Sequence, residues 1–280
     1  MRVVIAGAGI AGLAGALALA RDGHTVTVVE RDATPMPASA DAAFSEWARS
    51  GAPQVRHSHA FLARLRNLLA DRAPDVLERL LAAGATEIRF TEHLPETLTD
   101  RSPRPGDDQL VALACRRTTF EWVLRRCVLE CPGVALRDGV EITGIEIARD
   151  PGSGAGAGAR VIGARVRGVA GEDVLPADLF VDATGPRGGS DRWLADAGVV
   201  EPAAEVHESG IVYLSRFYRL RPGAEMPVGE GPIAGDLGHL KFAVFVGDNR
   251  TFSVTLAVPA DDRALRRPLA RPDGFELAAG

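Results

Sequence analysis

The chain contains 280 residues, of which 46% are hydrophobic and 25% are charged, and its formal net charge is −5. This is the composition of an ordinary globular protein, and it argues against a disordered chain or a membrane-embedded one. The acidic balance, with no run of basic residues along one element, argues against a general attraction to nucleic acid. A chain of this length can form one large or two ordinary domains with a sizeable core.

The N-terminal residues change from a strand pattern to a helix pattern and back. Residues 3–6 are a short apolar run, and small and apolar residues follow at helical spacing as far as Ala20. Gly23 stands where a helix C-cap belongs, and Thr25–Glu30 is rich in β-branched residues. The order strand, helix, strand predicts the first part of a Rossmann-like parallel sheet.

A glycine-rich loop lies between the first predicted strand and helix. Gly7 permits a tight turn, Gly9 lets the backbone approach a pyrophosphate, and Gly12 lets helix and strand pack closely. The pattern continues as GxGxxGxxxAxxLxxxGxxVxxxE to Glu30 without a mismatch. Glu30 ends the second strand, where a carboxylate accepts hydrogen bonds from ribose hydroxyls and repels a 2′-phosphate. The loop is therefore interpreted as a dinucleotide site that disfavours NADP.

The middle of the chain alternates between helix and strand patterns. Residues 33–55 predict a long loop with a short helix at most. Helices are predicted over 58–71, 75–83, 118–130 and 191–198. Two strands are predicted between 86 and 98, and single strands over 110–114, 134–137, 140–149, 160–169 and 177–185. The alternating glycines at 151–159 imitate a second phosphate loop, but no helix follows them, so a flexible hairpin loop is expected.

The pattern of predicted secondary structure changes near residue 200. From Glu205 onward the chain has long strand-like runs with no crossover helices, which predicts an antiparallel sheet. We therefore expect an α/β fold with a Rossmann-like domain over 1–200 and a second, antiparallel domain over 201–280. The strands predicted between 86 and 114 form an excursion from the first domain toward that sheet.

The extended glycine motif, the ERD that closes it, and the segments RHSHAFL, RRTTFEWVLRR and DLFVDATGPRG together resemble the FAD-dependent monooxygenases of the p-hydroxybenzoate hydroxylase type. The resemblance is strongest to the bacterial branch that includes polyether epoxidases, and it covers most of residues 1–200. It implies that FAD is held by its ADP half, that NAD(P)H is a transient electron donor, and that O2 and an apolar aromatic or polyene substrate react in a cytoplasmic enzyme. Two alternatives remain open: an FAD-dependent reductase or dehydrogenase of isoprenoid or polyketide double bonds, and a nucleotide-binding fragment without catalysis.

The resemblance also assigns cofactor contacts. Arg117, followed by Phe120 and Leu124, matches an arginine of the family at a helix start, although Arg116 beside it is an alternative. Arg56 opens the RHSH segment, which in the family begins the helix beside the flavin. The expected cofactor-binding residues are Gly7, Gly9, Ile10, Ala11, Gly12, Glu30, Arg31, Arg56, Arg117, Asp182 and Gly185. No catalytic residue is assigned, because in such enzymes the cofactor carries the chemistry.

Two histidines, three cysteines and six apolar residues are further candidates for a functional or a structural role. His57 and His59 are spaced like metal ligands, but no carboxylate or cysteine cluster nearby completes a metal site, and a helix-cap role is equally open. The odd count of three cysteines favours buried thiols, as in a protein of the reducing cytoplasm. We expect no signal peptide, because no basic segment with an apolar core precedes the first predicted strand. The glycines within residues 3–20 argue against a membrane span. The apolar residues expected to form a dry substrate wall, or else plain core, are Ile211, Tyr213, Phe217, Phe242, Phe245 and Phe252.

The family's second signature, G-D-A-x-H followed by a helix, has only a superficial counterpart here. Gly235, Asp236 and His239 form GDLGH, but a strand pattern follows, so we interpret the match as a coincidence. Because family members are longer, the second domain is expected to be incomplete. The substrate and the oligomeric state are not predicted.

Overall fold

A computed structural model describes residues 1–92, 94, 98–149, 158–186, 188–199, 203–226 and 233–279. The chain divides into two compact units. The first unit consists of Met1–Pro53 and Glu121–Glu205, and the second of Gln54–Phe120 and Val206–Gly280. Most of the glycine-rich segment at 151–159 lies outside the described residues.

The helices and strands are, in chain order, β1 (Arg2–Ala6), α1 (Ile10–Arg21), β2 (Thr25–Glu30), α2 (Ala40–Glu46), α3 (Ala63–Arg72), α4 (Pro74–Ala82), β3 (Thr86–Arg89), β4 (Val111–Ala114), α5 (Arg117–Leu129), β5 (Val134–Asp138), β6 (Glu141–Arg149), β7 (Ala159–Gly168), β8 (Gly171–Pro176), β9 (Leu179–Asp182), α6 (Ser190–Asp196), β10 (Ile211–Arg219), β11 (Ala234–Asp236), β12 (Lys241–Val246), β13 (Thr251–Pro259), α7 (Arg263–Leu269) and α8 (Pro272–Ala279). Two short 3-10 turns lie at Phe90–Glu92 and Asp107–Gln109. No helix among these is long and apolar enough to cross a lipid bilayer.

The first unit is built on a four-stranded parallel sheet with the order β5-β2-β1-β9. Ala6, at the end of β1, is opposite both Val29 and Asp182, so the carboxyl ends of three neighbouring strands meet at one edge. Ligands of open parallel sheets bind at this edge. The Rossmann-like α/β fold expected from the N-terminal pattern is confirmed.

The two faces of this parallel sheet are covered by different layers. Val4 and Ala6 point toward the antiparallel strands β6-β7-β8 and form a buried cluster that includes Trp193 of α6. Ile5, the residue between them, faces α1, because a Cβ on Gly15 of that helix would lie 3.8 Å from the Ile5 Cδ1. This alternation gives three layers around buried β-branched residues, each of which contributes roughly 1.5–3 kcal/mol.

The second unit is built on an antiparallel sheet with the order β10-β13-β12-β11, and it also contains the hairpin-like pair β3-β4. One face of the larger sheet packs against α7 and α8, with Leu269 and Phe275 in the shared core. These two helices are absent from the sequence expectation. The predicted second strand before residue 98 is also wrong where it is described, since Phe90–Glu92 forms a 3-10 turn.

The helix predicted from residue 58 begins only at Ala63, with Leu62 as its N-cap. The preceding segment is held in another conformation by contacts within the second unit. The Ser58 Oγ lies 2.7 Å from the Ser253 Oγ and 2.6 Å from the Thr255 Oγ1, while Phe61 forms a bridge with Leu113. These contacts outweigh the helical periodicity, so the RHSH segment precedes a helix and does not begin one.

The six apolar residues expected to form one wall divide between the two faces of the antiparallel sheet. Phe242 and Phe252 share the face that carries Leu256, the face that packs against α7 and α8. The other face carries Ser253 and Thr255 together with the remaining four aromatic and aliphatic residues, Ile211, Tyr213, Phe217 and Phe245. Only these four are available to a ligand on the hydroxyl-bearing face, because side chains alternate along a strand.

Candidate functional site

The glycine loop between β1 and α1 has the geometry that its sequence predicts. Gly7 has a φ of +95°, and a Cβ on it would lie 2.7 Å from the carbonyl oxygen of Ala183. A Cβ on Gly12 would overlap the carbonyl oxygen of Gly7. Both positions therefore require glycine, one for its backbone conformation and both for close packing.

Gly9 differs from the other two glycines because a Cβ on it would meet nothing within 4 Å. Gly9 is the N-cap of α1 and has no side chain to accept from the first N–H groups, and no side-chain hydrogen bond to Ile10 N–H or Ala11 N–H is found among the described residues. Uncapped N–H groups and the positive end of the helix dipole form a binding site for phosphate. The open space beside Gly9 fits the close approach of a pyrophosphate.

Glu30 lies beside this loop at the end of β2 and is 8% exposed. Its Oε2 accepts a hydrogen bond from the backbone N–H of Ala8 at 3.0 Å, and its Oε1 accepts one from the N–H of Asp32 at 3.0 Å. Its Oε2 also accepts from the Arg49 Nη2 at 3.4 Å, so of the about four acceptor positions of a carboxylate one remains for a ribose hydroxyl. Glu30 therefore both fixes the loop and fits the predicted sugar contact.

A polar groove of about 560 Å³ adjoins the end of β2 within the first unit. It is lined by Arg31, Asp32, Ser50, Gly139, Glu141, Arg167, Gly168 and Val169. Burial raises the pKa of Asp32, but hydrogen bonds from Thr34 and the nearby Arg49 outweigh it, so the pKa of this carboxyl is below its ordinary value. The groove thus holds a persistent negative charge beside the exposed Arg31.

The end of β9 lies next to the loop, as the shared register of Ala6 and Asp182 requires. The Asp182 Oδ1 accepts a hydrogen bond from the backbone N–H of Thr184 at 2.8 Å, and Gly185 has a φ of +80°. The carbonyl of Ala183 is the group that excludes a side chain at Gly7. Asp182 and Gly185 are both exposed, so this turn is accessible to a ligand.

The two predicted arginines, Arg56 and Arg117, belong to the second unit. Arg56 is exposed, whereas Arg117 is half-buried at the first position of α5. Arg116, the alternative to Arg117, is 4% exposed, and its Nη2 lies 2.6 Å from the Oδ2 of Asp248. This buried ion pair commits Arg116 to a structural role.

His57 and His59 do not form a metal site in the part of the chain that the structure describes, where no group of three or more potential metal ligands is found. The Nδ1 of His59 lies 2.8 Å from the carbonyl oxygen of His57, which requires this nitrogen to be the donor. Burial lowers the pKa of His59 below its ordinary value. Neither histidine is the cap of α3, whose N-cap is Leu62.

Arg49 is a residue of the loop region that the sequence interpretation missed. It is 8% exposed, and it donates hydrogen bonds to the Glu121 Oε1 at 2.7 Å and to the Ala8 carbonyl oxygen at 3.0 Å. Residues 33–55 show no clear periodicity, so no sequence pattern indicates that this arginine turns inward. The only available signal is the aromatic residue two positions earlier, Trp47, over whose ring the guanidinium lies at 5.1 Å.

Comparison with known proteins agrees with this geometry. The FAD dependent oxidoreductase family matches residues 2–255. Protein Rv3254 of Mycobacterium tuberculosis is 30% identical over 242 residues, which are 79% of this chain and 45% of that protein. The chain therefore spans less than half the length of this curated relative.

Two solved structures show the same fold. PqsL, a probable FAD-dependent monooxygenase from Pseudomonas aeruginosa, has a TM-score of 0.66 at 18% identity, over 100% of this chain and 65% of that one. The p-nitrophenol 4-monooxygenase PnpA from Pseudomonas putida has a TM-score of 0.62 at 15% identity, over 98% of this chain and 62% of that one. At such identities the likeness is one of fold, whereas the family match covers most of the sequence. The chain belongs to the FAD-dependent oxidoreductase family.

Proposed function

We propose that the chain is part of an FAD-dependent monooxygenase of the p-hydroxybenzoate hydroxylase type, which uses NAD(P)H and O2 on an apolar aromatic or polyene substrate. The observation that carries the proposal is the uncapped N-terminus of α1 beside the open space at Gly9, with Glu30 at the end of the adjacent strand. The fold shared with PqsL and PnpA, which are described as monooxygenases, supports this type of reaction.

In this proposal the first unit holds the ADP half of FAD. Gly9, Ile10 and Ala11 donate backbone N–H groups to the pyrophosphate, and Glu30 accepts hydrogen bonds from the adenosine ribose. The groove at Arg31 receives the adenine, and the turn at Asp182 and Gly185 receives the ribityl side. By the family resemblance, Arg56 and Arg117 are the proposed arginine contacts of the cofactor, made by charge-assisted hydrogen bonds.

When bound, FAD supplies the transfer of electrons from NAD(P)H and the activation of O2. The chain's own contribution that we propose is a set of apolar side chains on the antiparallel sheet. Tyr213, Phe217 and Phe245 share one face of the antiparallel sheet, and we propose that this face contacts the apolar substrate. Exclusion of water by such side chains protects reactive oxygen species from side reactions.

The direct test is to purify the chain, add FAD, and measure flavin absorbance together with the consumption of NAD(P)H and O2. We expect a yellow protein that oxidises NAD(P)H when an apolar acceptor is supplied. A colourless protein that cannot be reconstituted would contradict the proposal, and product formation without O2 would favour a reductase. The chain spans 45% of the length of Protein Rv3254. If it binds FAD but does not oxidise NAD(P)H, it acts by itself as a nucleotide-binding module.

Two alanine substitutions in the loop separate folding from binding. Gly9→Ala is expected to leave the melting temperature nearly unchanged, because its Cβ has open space, but to weaken FAD binding by about tenfold by occupying the space of the pyrophosphate. Gly12→Ala is expected to destabilise the first unit by about 1–3 kcal/mol, because its Cβ would overlap the Gly7 carbonyl. Thermal unfolding and calorimetric FAD titration measure the two effects. Equal FAD affinity in Gly9→Ala and the wild type would show that the pyrophosphate binds elsewhere.

A further inference from the structure

Arg49 connects the glycine loop to α5 within the first unit. Its Nε donates to Glu121 of α5 at 2.7 Å, its Nη1 lies 3.5 Å from the Asp32 Oδ2, and its Nη2 lies 3.4 Å from the Glu30 Oε2. The same Nη2 donates to the carbonyl oxygen of Ala8 at 3.0 Å. Because all three guanidinium nitrogens are engaged inside the unit, Arg49 is not itself placed to bind a phosphate.

The contacts of Arg49 and Glu30 satisfy both backbone groups of Ala8. The N–H of Ala8 donates to the Glu30 Oε2 at 3.0 Å, and its C=O accepts from the Arg49 Nη2 at 3.0 Å. The two side chains also contact each other, so the three residues form a closed ring of hydrogen bonds. Ala8 separates Gly7 from Gly9, and the ring therefore fixes the peptide orientation of the loop from its buried side.

Charge makes Arg49 necessary for this arrangement. Glu121 is 0% exposed and Glu30 is 8% exposed, and a buried carboxylate is costly without a cation. Three carboxylates, those of Glu30, Asp32 and Glu121, surround the single guanidinium of Arg49. Without it, they would repel one another at the site proposed for the ribose.

We propose that Arg49 is a positioning residue of the nucleotide site: it holds the Glu30 carboxylate and the Ala8 peptide in place, so that Gly9 and the N-terminus of α1 face the ligand. The inference rests on the proposed function only in that the ligand is the ADP half of FAD. Arg49 lies in the irregular segment before the second unit. Its effect on ligand affinity is indirect, because it does not contact the ligand itself.

Arg125 offers a matched control. Like Arg49 it is nearly buried, with 3% exposure, and its guanidinium lies 5.8 Å from the Trp47 ring. It forms an ion pair with Asp138 at 2.6 Å, and no hydrogen bond or ion pair joins it to Ala8 or Glu30 in the described part of the unit. Arg49→Met and Arg125→Met therefore remove similar buried cations, and only the first removes the support of the loop.

The experiment compares the affinity of ADP and of FAD, by calorimetry, for the wild type, Arg49→Met, Arg49→Lys and Arg125→Met. We expect Arg49→Met to weaken both ligands by at least about tenfold, Arg49→Lys to weaken them less because the charge remains, and Arg125→Met to change them by less than about threefold. Melting temperatures of all four proteins show which losses accompany general destabilisation. Equal losses of affinity in Arg49→Met and Arg125→Met would overturn the inference.

The lysine variant provides a second readout. Arg49→Met removes both the cation shared by the carboxylates of Glu30, Asp32 and Glu121 and the donor to the Ala8 carbonyl, whereas Arg49→Lys keeps the cation. Equal losses of affinity in Arg49→Met and Arg49→Lys would contradict the charge role. Wild-type ADP binding without oxidation of NAD(P)H would contradict the proposed function and leave this inference intact.

Discussion

Replacement of Glu30 by arginine is expected to abolish the retention of FAD. The substitution removes the acceptor for the ribose hydroxyls and for the N–H of Ala8, which the Glu30 Oε2 accepts at 3.0 Å. It also places a second guanidinium next to Arg49, whose Nη2 is now 3.4 Å from the same carboxylate. Two guanidinium groups side by side in a nearly buried position repel each other, even though Arg49 keeps its contacts with Glu121 and Asp32. The ratio of flavin to protein absorbance after purification measures the effect.

Glu30→Gln is the control for this prediction. The amide keeps the size of the side chain and one acceptor oxygen for Ala8, but it loses the charge that pairs with Arg49. We expect FAD affinity to fall by about tenfold in Glu30→Gln while the protein remains folded. If Glu30→Arg retained the wild-type flavin content, the assignment of Glu30 to the ribose would be wrong.

Removal of the Asp248 carboxylate is expected to produce the largest loss of stability in the second unit. Asp248 is 0% exposed, and it accepts hydrogen bonds from the Arg116 backbone N–H at 2.7 Å, from the Arg116 Nη2 at 2.6 Å and from the Thr119 Oγ1 at 2.8 Å. Asp248→Ala removes the carboxylate that pairs with the buried guanidinium of Arg116. The cost of breaking such a pair is about 3–5 kcal/mol, measured as a change in the free energy of unfolding in urea.

Two variants test the cause of that loss. Asp236→Ala removes an exposed ion pair with Lys241 in the same unit and is expected to change stability little. The double variant Arg116→Met/Asp248→Ala removes both charges and is expected to recover part of the loss, because the buried Arg116 cation is removed together with its carboxylate. A double variant less stable than Asp248→Ala would show that packing, not charge, dominates at this position.

The elements of the nucleotide loop could be predicted because their signals are local. The bounds of β2 coincide with the run of β-branched residues at Thr25–Glu30, and α1 begins directly after Gly9. At Gly7 and Gly12 the residue type itself indicates the local geometry, because both positions require a residue without a Cβ. Local patterns of this kind need no knowledge of which distant segments meet.

The parts that could not be predicted depend on distant contacts. The inward turn of Arg49 results from Glu121, which lies 72 residues away in the sequence. The late start of α3 results from Ser58, whose hydroxyl partners Ser253 and Thr255 are 195 and 197 residues away. In both cases a long-range polar contact outweighs local propensity, and a single sequence contains no sign of its partner.

The apolar residues of the antiparallel sheet illustrate a different reason. Their strand pattern was visible, but the sequence alone did not reveal which face α7 and α8 would cover. Phe242 and Phe245 are three positions apart and so lie on opposite faces, which assigns the first to the core and leaves the second on the face that carries Ser253. The register of β12 with β13 decides this division.

The division of the chain has a consequence for synthesis on the ribosome. Each unit is assembled from two separate segments, so Met1–Pro53 must wait for Glu121–Glu205, and Gln54–Phe120 must wait for the strands after Val206. A nascent chain that ends at residue 120 contains no complete unit. Bringing together segments that are far apart in the sequence costs conformational entropy before their contacts can stabilise the unit. This cost makes folding slow. We therefore expect the partly synthesised chain to depend on chaperones until its last strands emerge.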